Sequence, residues 1–236
     1  MNLILISPEQ MVSKHCYKLN DRQVEHIDRI LKKQDGDTIR VGLLNGGIGS
    51  GAYQKSSASV VLSDLTEVSP EPLPCILVLA LPRPNMLKRT LMNVTAMGVK
   101  EIHLIHSNKV EKSYWQSPIL QADSLHSYLL EGLEQAKDTI LPTLHLHQRF
   151  RPFVEDVLPD LLTGKRGLIA HPYEAKACPV ALTAPSLLAI GPEGGWNDFE
   201  VERFVEAGLE RVHLGDRILK VETAVPVLLS RLHPAL

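Results

Sequence analysis

Two glycine-bearing stretches near the carboxyl terminus, Ile190-Gly191-Pro192-Glu193-Gly194-Gly195 and Leu214-Gly215-Asp216-Arg217-Ile218-Leu219, each follow an apolar strand-like run and precede a helix-like one. Glycine lets backbone approach a ligand closely and adopt positive φ, and ligands of open α/β sheets gather at the carboxyl ends of strands. Together the two stretches read as the walls of a pocket built from main chain, with a small molecule between them. The first offers backbone amides and one carboxylate, Glu193, a set suited to a neutral or cationic ligand carrying hydroxyl and amino groups. It does not suit a triphosphate, because no lysine or hydroxyl residue follows the glycines at the phosphate-loop spacing.

The elements that must position these loops are legible in part. Asn197, with Glu200 three residues on, forms a capping box for a helix over 198–207, and Gly208 stands where that helix should stop. Thr223 is read as the cap of a final helix, with Pro226 in its first turn and Val227, Leu228 and Leu232 packed in the core. From residue 75 on, apolar strands alternate with amphipathic helices, which implies a mainly parallel sheet flanked by helices.

The prolines of Ser69-Pro70-Glu71-Pro72-Leu73-Pro74 remove backbone donors and hold their neighbours extended, so a domain boundary is placed there, giving domains 1–69 and 75–236. Ahead of it lie short β-like pieces, 3–6, 38–44 and 59–62, and one helix around 23–32, the pattern of a small barrel with one helix. The glycine-rich run from Asn45 to Gly51 misses the dinucleotide-loop spacing, and Asn45-Gly46 is a hairpin signal, so it is read as a turn.

A chain of 236 residues, 44% hydrophobic, can bury a core, and its formal charge of −2 leaves only local charge to indicate a polyanionic partner. Between residues 83 and 112, Arg83, Lys88, Arg89, Lys100, Lys109 and Lys112 stand against Glu101 and Glu111, a net of +4. That stretch reads either as a phosphate-facing surface or as a solvated helix face with its loop. Trp115 beside Lys109 and Lys112 suits an RNA edge, and equally a hydrophobic anchor under the loop. Cys16, Cys75 and Cys178 lie far apart, with neither a disulfide framework nor a zinc knuckle in their spacing, which fits a cytoplasmic location. The longest apolar run, Cys75 to Leu81, is far short of a membrane span, so no membrane partner is expected. His145-x-His147 would project from one strand face, but no third ligand has an evident spacing, and no metal is expected.

The motif at 190–195, with Leu214-Gly215-x-Arg217-Ile218-Leu219-x-x-Glu222-Thr223-Ala224, resembles the RsmE family of ribosomal RNA uridine-N3 methyltransferases in the SPOUT superfamily. Weaker echoes are the helix-then-glycine stretch from His26 to Gly36, Met97-Gly98-Val99 and Glu134-Gln135. The resemblance implies an α/β SPOUT domain with a carboxyl-terminal trefoil knot, preceded by a small PUA-like β-barrel that binds RNA. It also implies a homodimer, S-adenosylmethionine as cofactor, and ribosomal RNA or the small ribosomal subunit as partner. The loop at Ala170, His171 and Pro172, the loop Ile190, Gly191, Pro192, Glu193, Gly194 and Gly195, and the loop with Leu214, Gly215, Ile218 and Leu219, followed by Thr223, would surround the cofactor. Arg217 and Glu222 are the catalytic candidates, and Arg83, Lys88, Arg89, Lys109 and Lys112 the RNA-binding ones.

The expected reaction is methylation of N3 of a uridine in 16S ribosomal RNA. Departures bear on the target: Asp216 stands where the family has proline, Lys220-Val221 where it has arginine-threonine, and Asp138 where it has arginine. A methyltransferase with a different RNA target, or a catalytically silent RNA-binding assembly factor of the same fold, remains the alternative.

Overall fold

The computed structural model describes residues 3–234, which cluster as two units: residues up to Glu71 with Leu130–Leu141, and Pro72–Leu129 with the remainder from Pro142. In the first, strands β1 (Ile4–Ile6), β2 (Met11–Ser13), β3 (Cys16–Lys18), β4 (Thr38–Leu43), β5 (Ile48–Gln54) and β6 (Ser59–Leu62) form one sheet. Its order is β1-β4-β5-β6-β3-β2, parallel only between β1 and β4. Alternate residues Ile39, Val41, Tyr53 and Val60 point to a core closed by Ile27 from the helical segment. That segment is α1 (Asp21–Glu25), begun by an Asn20/Gln23 capping box and continued through wider turns over His26–Ile30. The sequence reading starts it two residues late and ends it two residues late. Positive φ at Lys32 marks the chain leaving the helix.

The glycine run is only half a turn. Asn45, at φ +58, and Gly46, whose amide donates to the Leu43 carbonyl at 2.7 Å, close the β4–β5 hairpin as expected. Gly49 and Gly51 instead lie inside β5, where a Cβ on Gly49 would meet the Asp64 carbonyl at 2.0 Å. Close approach of neighbouring backbone, not turn geometry, requires that glycine. The β2–β3 hairpin left no apolar alternation to read, since Met11 and Val12 are exposed.

In the second unit, β7 (Cys75–Ala80), β8 (Glu101–Ile105), β9 (Thr143–His147), β10 (Arg166–Ala170), β11 (Lys176–Ala177), β12 (Ser186–Ile190) and β13 (Glu210–His213) form one sheet. The order is β11-β13-β10-β12-β7-β8-β9, and every pair is parallel. Central β7 and β12 are buried at every residue, which is why they read as unbroken apolar runs, whereas edge strand β9 is largely exposed. The helices are α2 (Pro84–Ala96), α3 (Ala122–Ala136), α4 (Phe150–Pro152), α5 (Leu158–Leu162), α6 (Asp198–Glu206) and α7 (Val221–Leu232), with α7 packed on α2. Residues of α3 from Leu130 cluster with the first unit, where Glu134 is fully buried and accepts two bonds from Arg22 at 2.8 and 2.9 Å.

Two expectations about α7 are corrected. Its N-cap is Lys220, so Thr223 is the third helical residue and caps nothing, and Pro226 falls inside the helix and not in its first turn. The last strand in sequence, β13, sits between β10 and β11, and the stretch after β11 is laced to α7. Ala181 and Leu182 amides donate to the Arg231 and Leu232 carbonyls at 3.0 and 2.7 Å, and Arg231 Nε donates to the Cys178 carbonyl at 2.8 Å. Ser186 Oγ and His233 Nε2, 2.8 Å apart and buried, tie the end of α7 to the start of β12. Among the described residues no helix is long and apolar enough to cross a membrane.

Candidate active site

Because every pair in the seven-stranded sheet is parallel, the carboxyl ends of β7, β8, β10, β12 and β13 all open on one side. The loops that follow them, 81–83, 106–117, 171–175, 191–197 and 214–220, lie on that side, and the first two are bonded to the 191–200 segment. Both glycine stretches are among them, with β10 between their parent strands.

The 191–197 loop is held from several directions. Gly195 has φ +70 and its amide bonds to the Pro192 carbonyl at 2.8 Å, a turn that a side chain would strain. A Cβ on Gly191 would stand 3.2 Å from the ring and amide of buried Trp196, so the backbone lies flat on the indole. Glu193 Oε1 accepts from the Arg83 amide at 3.2 Å, at the start of α2. Lys109 Nζ donates to the Gly194 carbonyl at 2.8 Å. The Asn197/Glu200 capping box is present, with bonds of 2.8 and 3.0 Å, and the second oxygen of buried Glu200 accepts from the Asn108 amide at 2.7 Å. One carboxylate thus fixes two loops.

The predicted cofactor residues fall along this rim. Ile190, Gly191 and Pro192 are buried, Glu193 and Gly194 are exposed, and Ala170, His171, Leu214 and Leu219 are half-buried. Burial, then the nearby Arg211 charge, lowers the His171 pKa and favours its neutral form. Pro172, Gly215, Asp216, Arg217 and Thr223 are exposed, and Ile218 presents an apolar side chain that is 81% exposed. Gly215, at φ +103, donates its amide to His213 Nδ1 at 2.9 Å. Neither Arg217 nor Glu222 forms an ion pair with any described residue, so the structural pairing left open by the sequence is not made. Both side chains are available to a ligand.

Of the basic candidates, Arg89 and Lys112 are exposed and Lys88 lies over the Tyr128 ring, 5.2 Å from its centre. Lys109 is engaged with the pocket loop instead of standing free. Trp115 donates from Nε1 to His106 Nδ1 at 3.0 Å, which anchors its ring at the loop after β8. Sequence reasoning missed the Lys109–Gly194 and Glu200–Asn108 bonds because their partners are 85 and 92 residues apart. Away from this rim, on β8 and β9, His103, His145 and His147 gather beside Glu101, a grouping that spacing alone did not suggest. Burial pushes the His103 pKa down to about 4 and lowers that of His147.

Residues 69–233 match the family described as RNA methyltransferase domain. Ribosomal RNA small subunit methyltransferase E of Treponema pallidum is 32% identical over 233 residues, covering 95% of this chain and 87% of that one. This chain belongs to the ribosomal RNA small subunit methyltransferase E family. The Synechocystis member is 27% identical, with 99% of this chain and 77% of that one covered. Two solved structures share the fold. A methyltransferase from Legionella pneumophila in complex with the cofactor SAM has a TM-score of 0.77 at 21% identity, with 97% and 95% of the two chains covered. The Neisseria gonorrhoeae small subunit methyltransferase E bound to S-adenosyl methionine has a TM-score of 0.73 at 21% identity, with 98% and 95% covered. The motif resemblance and the whole-chain similarity agree.

Proposed function

We propose that this chain transfers a methyl group from S-adenosylmethionine to N3 of a uridine in 16S ribosomal RNA. The observation that carries the reading is the glycine-lined rim at the carboxyl ends of β10, β12 and β13, in a chain of the small subunit methyltransferase E family. The residues present fit the cofactor. Main chain at Ile190, Gly191, Leu214 and Leu219 offers amides and carbonyls for adenine and ribose beside buried or partly buried aliphatic groups. When bound, S-adenosylmethionine supplies an electrophilic methyl group.

The chain's own contribution is position and charge. Uracil N3 is a weak nucleophile until its proton leaves, so a cation beside the developing anion lowers the barrier, and an in-line approach supplies much of the rest. Arg217, unpaired and exposed at the rim, is assigned to the anion, and Glu222, half-buried at the start of α7, to orienting the base or the donor. Bonds from Lys109, Glu200 and the Arg83 amide hold the 191–197 loop still while this occurs.

The finer architecture belongs to the same proposal. A trefoil knot in the 75–236 domain is supported by β13 lying between β10 and β11 and by the 178–182 stretch bonded along α7. Domain 1–69 is read as the PUA-like barrel that meets RNA, the chain as a homodimer, and the cytoplasm as its location. Arg83, Lys88, Arg89 and Lys112 are the RNA-facing cations.

A methyltransferase with another RNA target is the second reading, favoured by one observation. Asp138, where the resemblance leads one to expect arginine, is buried and its Oδ1 accepts from the Ile140 amide at 2.9 Å, so that position serves folding and not RNA. Calorimetry with S-adenosylmethionine tests the enzyme reading, since a folded chain that binds none would be a silent factor. Mass mapping of modified nucleosides in ribosomal RNA from a deletion strain tests the target: loss of one N3-methyluridine in 16S RNA is expected, and an intact 16S pattern would move the target elsewhere.

A further inference from the structure

The register of β8 and β9 sets His103 directly beside His145, with Glu101 and His147 two residues away on the same sheet face. One ligand atom from each of Glu101, His103 and His145 lies within 4.8 Å of the other two. His103 Nε2 is 3.1 Å from Glu101 Oε1, and its other nitrogen, Nδ1, is 2.9 Å from His147 Nε2. The His103 and His145 rings are stacked, 4.6 Å between centres, and Phe153 covers His103 and His147 on the inner side.

From this geometry we propose that the cluster is a zinc-type divalent metal site, with Glu101, His103 and His145 as ligands and His147 as the partner that orients His103. Two imidazole nitrogens and a carboxylate are the donor set that zinc favours, with water completing a tetrahedron. Zinc bonds of about 2.0–2.1 Å require ligand atoms about 3.3 Å apart. Rotation of Glu101, 37% exposed, and of exposed His145 closes the remaining gap, while His103, 3% exposed, is already fixed. A neutral His103 carries one N–H for two polar neighbours. With that proton on Nε2 it donates to Glu101 while His147 donates to Nδ1; with the proton on Nδ1 and donated to His147, Nε2 is left to bind a cation beside Glu101, so metal binding selects the second tautomer. Outer-sphere hydrogen bonding of this kind fixes tautomer and ring orientation at metal sites.

The site is distinct from the glycine loops. It lies on the edge of the sheet, whereas the loops follow β10, β12 and β13 across β7. There it joins β9, an exposed edge strand, to β8 by side chains as well as backbone. The role this gives the metal is a clip that keeps the edge strand in register.

The test is zinc titration of the full chain, freed of metal by chelation, followed by calorimetry and by the visible spectrum of cobalt in zinc's place. One tight binding event per chain, a tetrahedral cobalt spectrum and a higher thermal midpoint with zinc are expected. His145→Ala, at an exposed position, and Glu101→Gln, at a half-buried one, should each lower zinc affinity at least tenfold, the scale of even an outer-shell loss. Both should also abolish the zinc-dependent rise in midpoint. No uptake by the metal-free native chain, or weak uptake at several sites unchanged in both variants, would overturn the proposal.

Discussion

Lys109 reaches 85 residues along the chain to donate its ammonium to the Gly194 carbonyl at 2.8 Å, and its Cδ would sit 3.0 Å from a Cβ on that glycine. A residue that charge alone assigns to RNA is thereby bonded to the loop proposed to hold the cofactor. Lys109→Met keeps the aliphatic stem and removes the donor. S-adenosylmethionine affinity should fall about five- to tenfold, the scale of one charge-assisted bond at an exposed position. Calorimetry checks it; unchanged cofactor affinity with a reduced salt dependence of RNA binding would return Lys109 to the phosphate-facing set.

Two glycines of the same loop should differ in what they tolerate. Gly194→Ala meets only the flexible Lys109 side chain and should cost affinity a few fold. Gly191→Val must displace the buried indole and amide of Trp196, 3.2 Å away, and should remove cofactor binding to beyond about a hundredfold. Equal effects of the two changes, measured by calorimetry on folded protein, would count against the loop lining the pocket.

Arg217, exposed and without an ion pair, is predicted to act on the reaction and not on cofactor affinity. Arg217→Ala should leave S-adenosylmethionine affinity within a few fold while lowering methyl transfer by about two orders of magnitude, the scale of one electrostatic donor. Single-turnover assays beside calorimetry separate the two, and a parallel loss in both would make it a binding residue.

The Arg22–Glu134 pair should carry stability. Glu134→Ala removes a fully buried carboxylate and leaves a guanidinium whose side chain is 40% exposed. Solvent and the nearby Glu131 charge relieve part of the cost left on Arg22, so about 1–3 kcal/mol is expected in place of the larger loss at a wholly buried pair. The urea midpoint reads this directly, and a change below a few tenths of a kcal/mol would refute it.

Acid should weaken the fold through His233. Burial lowers its pKa below the free value of about 6.5, so the unfolded chain binds protons that the folded one refuses. Stability from this group is therefore complete above about pH 6.5 and is lost as pH falls toward the folded pKa. His233→Gln, whose amide can still meet Ser186, should show a smaller drop in urea midpoint between neutral and mildly acid pH than the native chain. An identical drop would exclude the residue.

The sequence by itself determined the central strands of the parallel sheet, because β7 and β12 are apolar at nearly every position and have to be buried on both faces, whereas the short exposed β11 left no apolar run to read. It also determined the α6 capping box, since Asn197 and Glu200 satisfy each other's backbone within one turn. The glycine loops were legible for the same reason: chain conformation there is a local property. Only the tertiary structure decided that Glu200 also holds Asn108, that Lys109 holds Gly194, that Gly49 is crowded by Asp64, and that part of α3 clusters with the first unit around Glu134. It likewise set Glu101 and His103 beside His145, since strand register and not spacing brings β8 to β9. Hydrophobic period and capping act over a few residues and leave their mark in the chain. Long-range pairing depends on which strands become neighbours, and no run of residues records that.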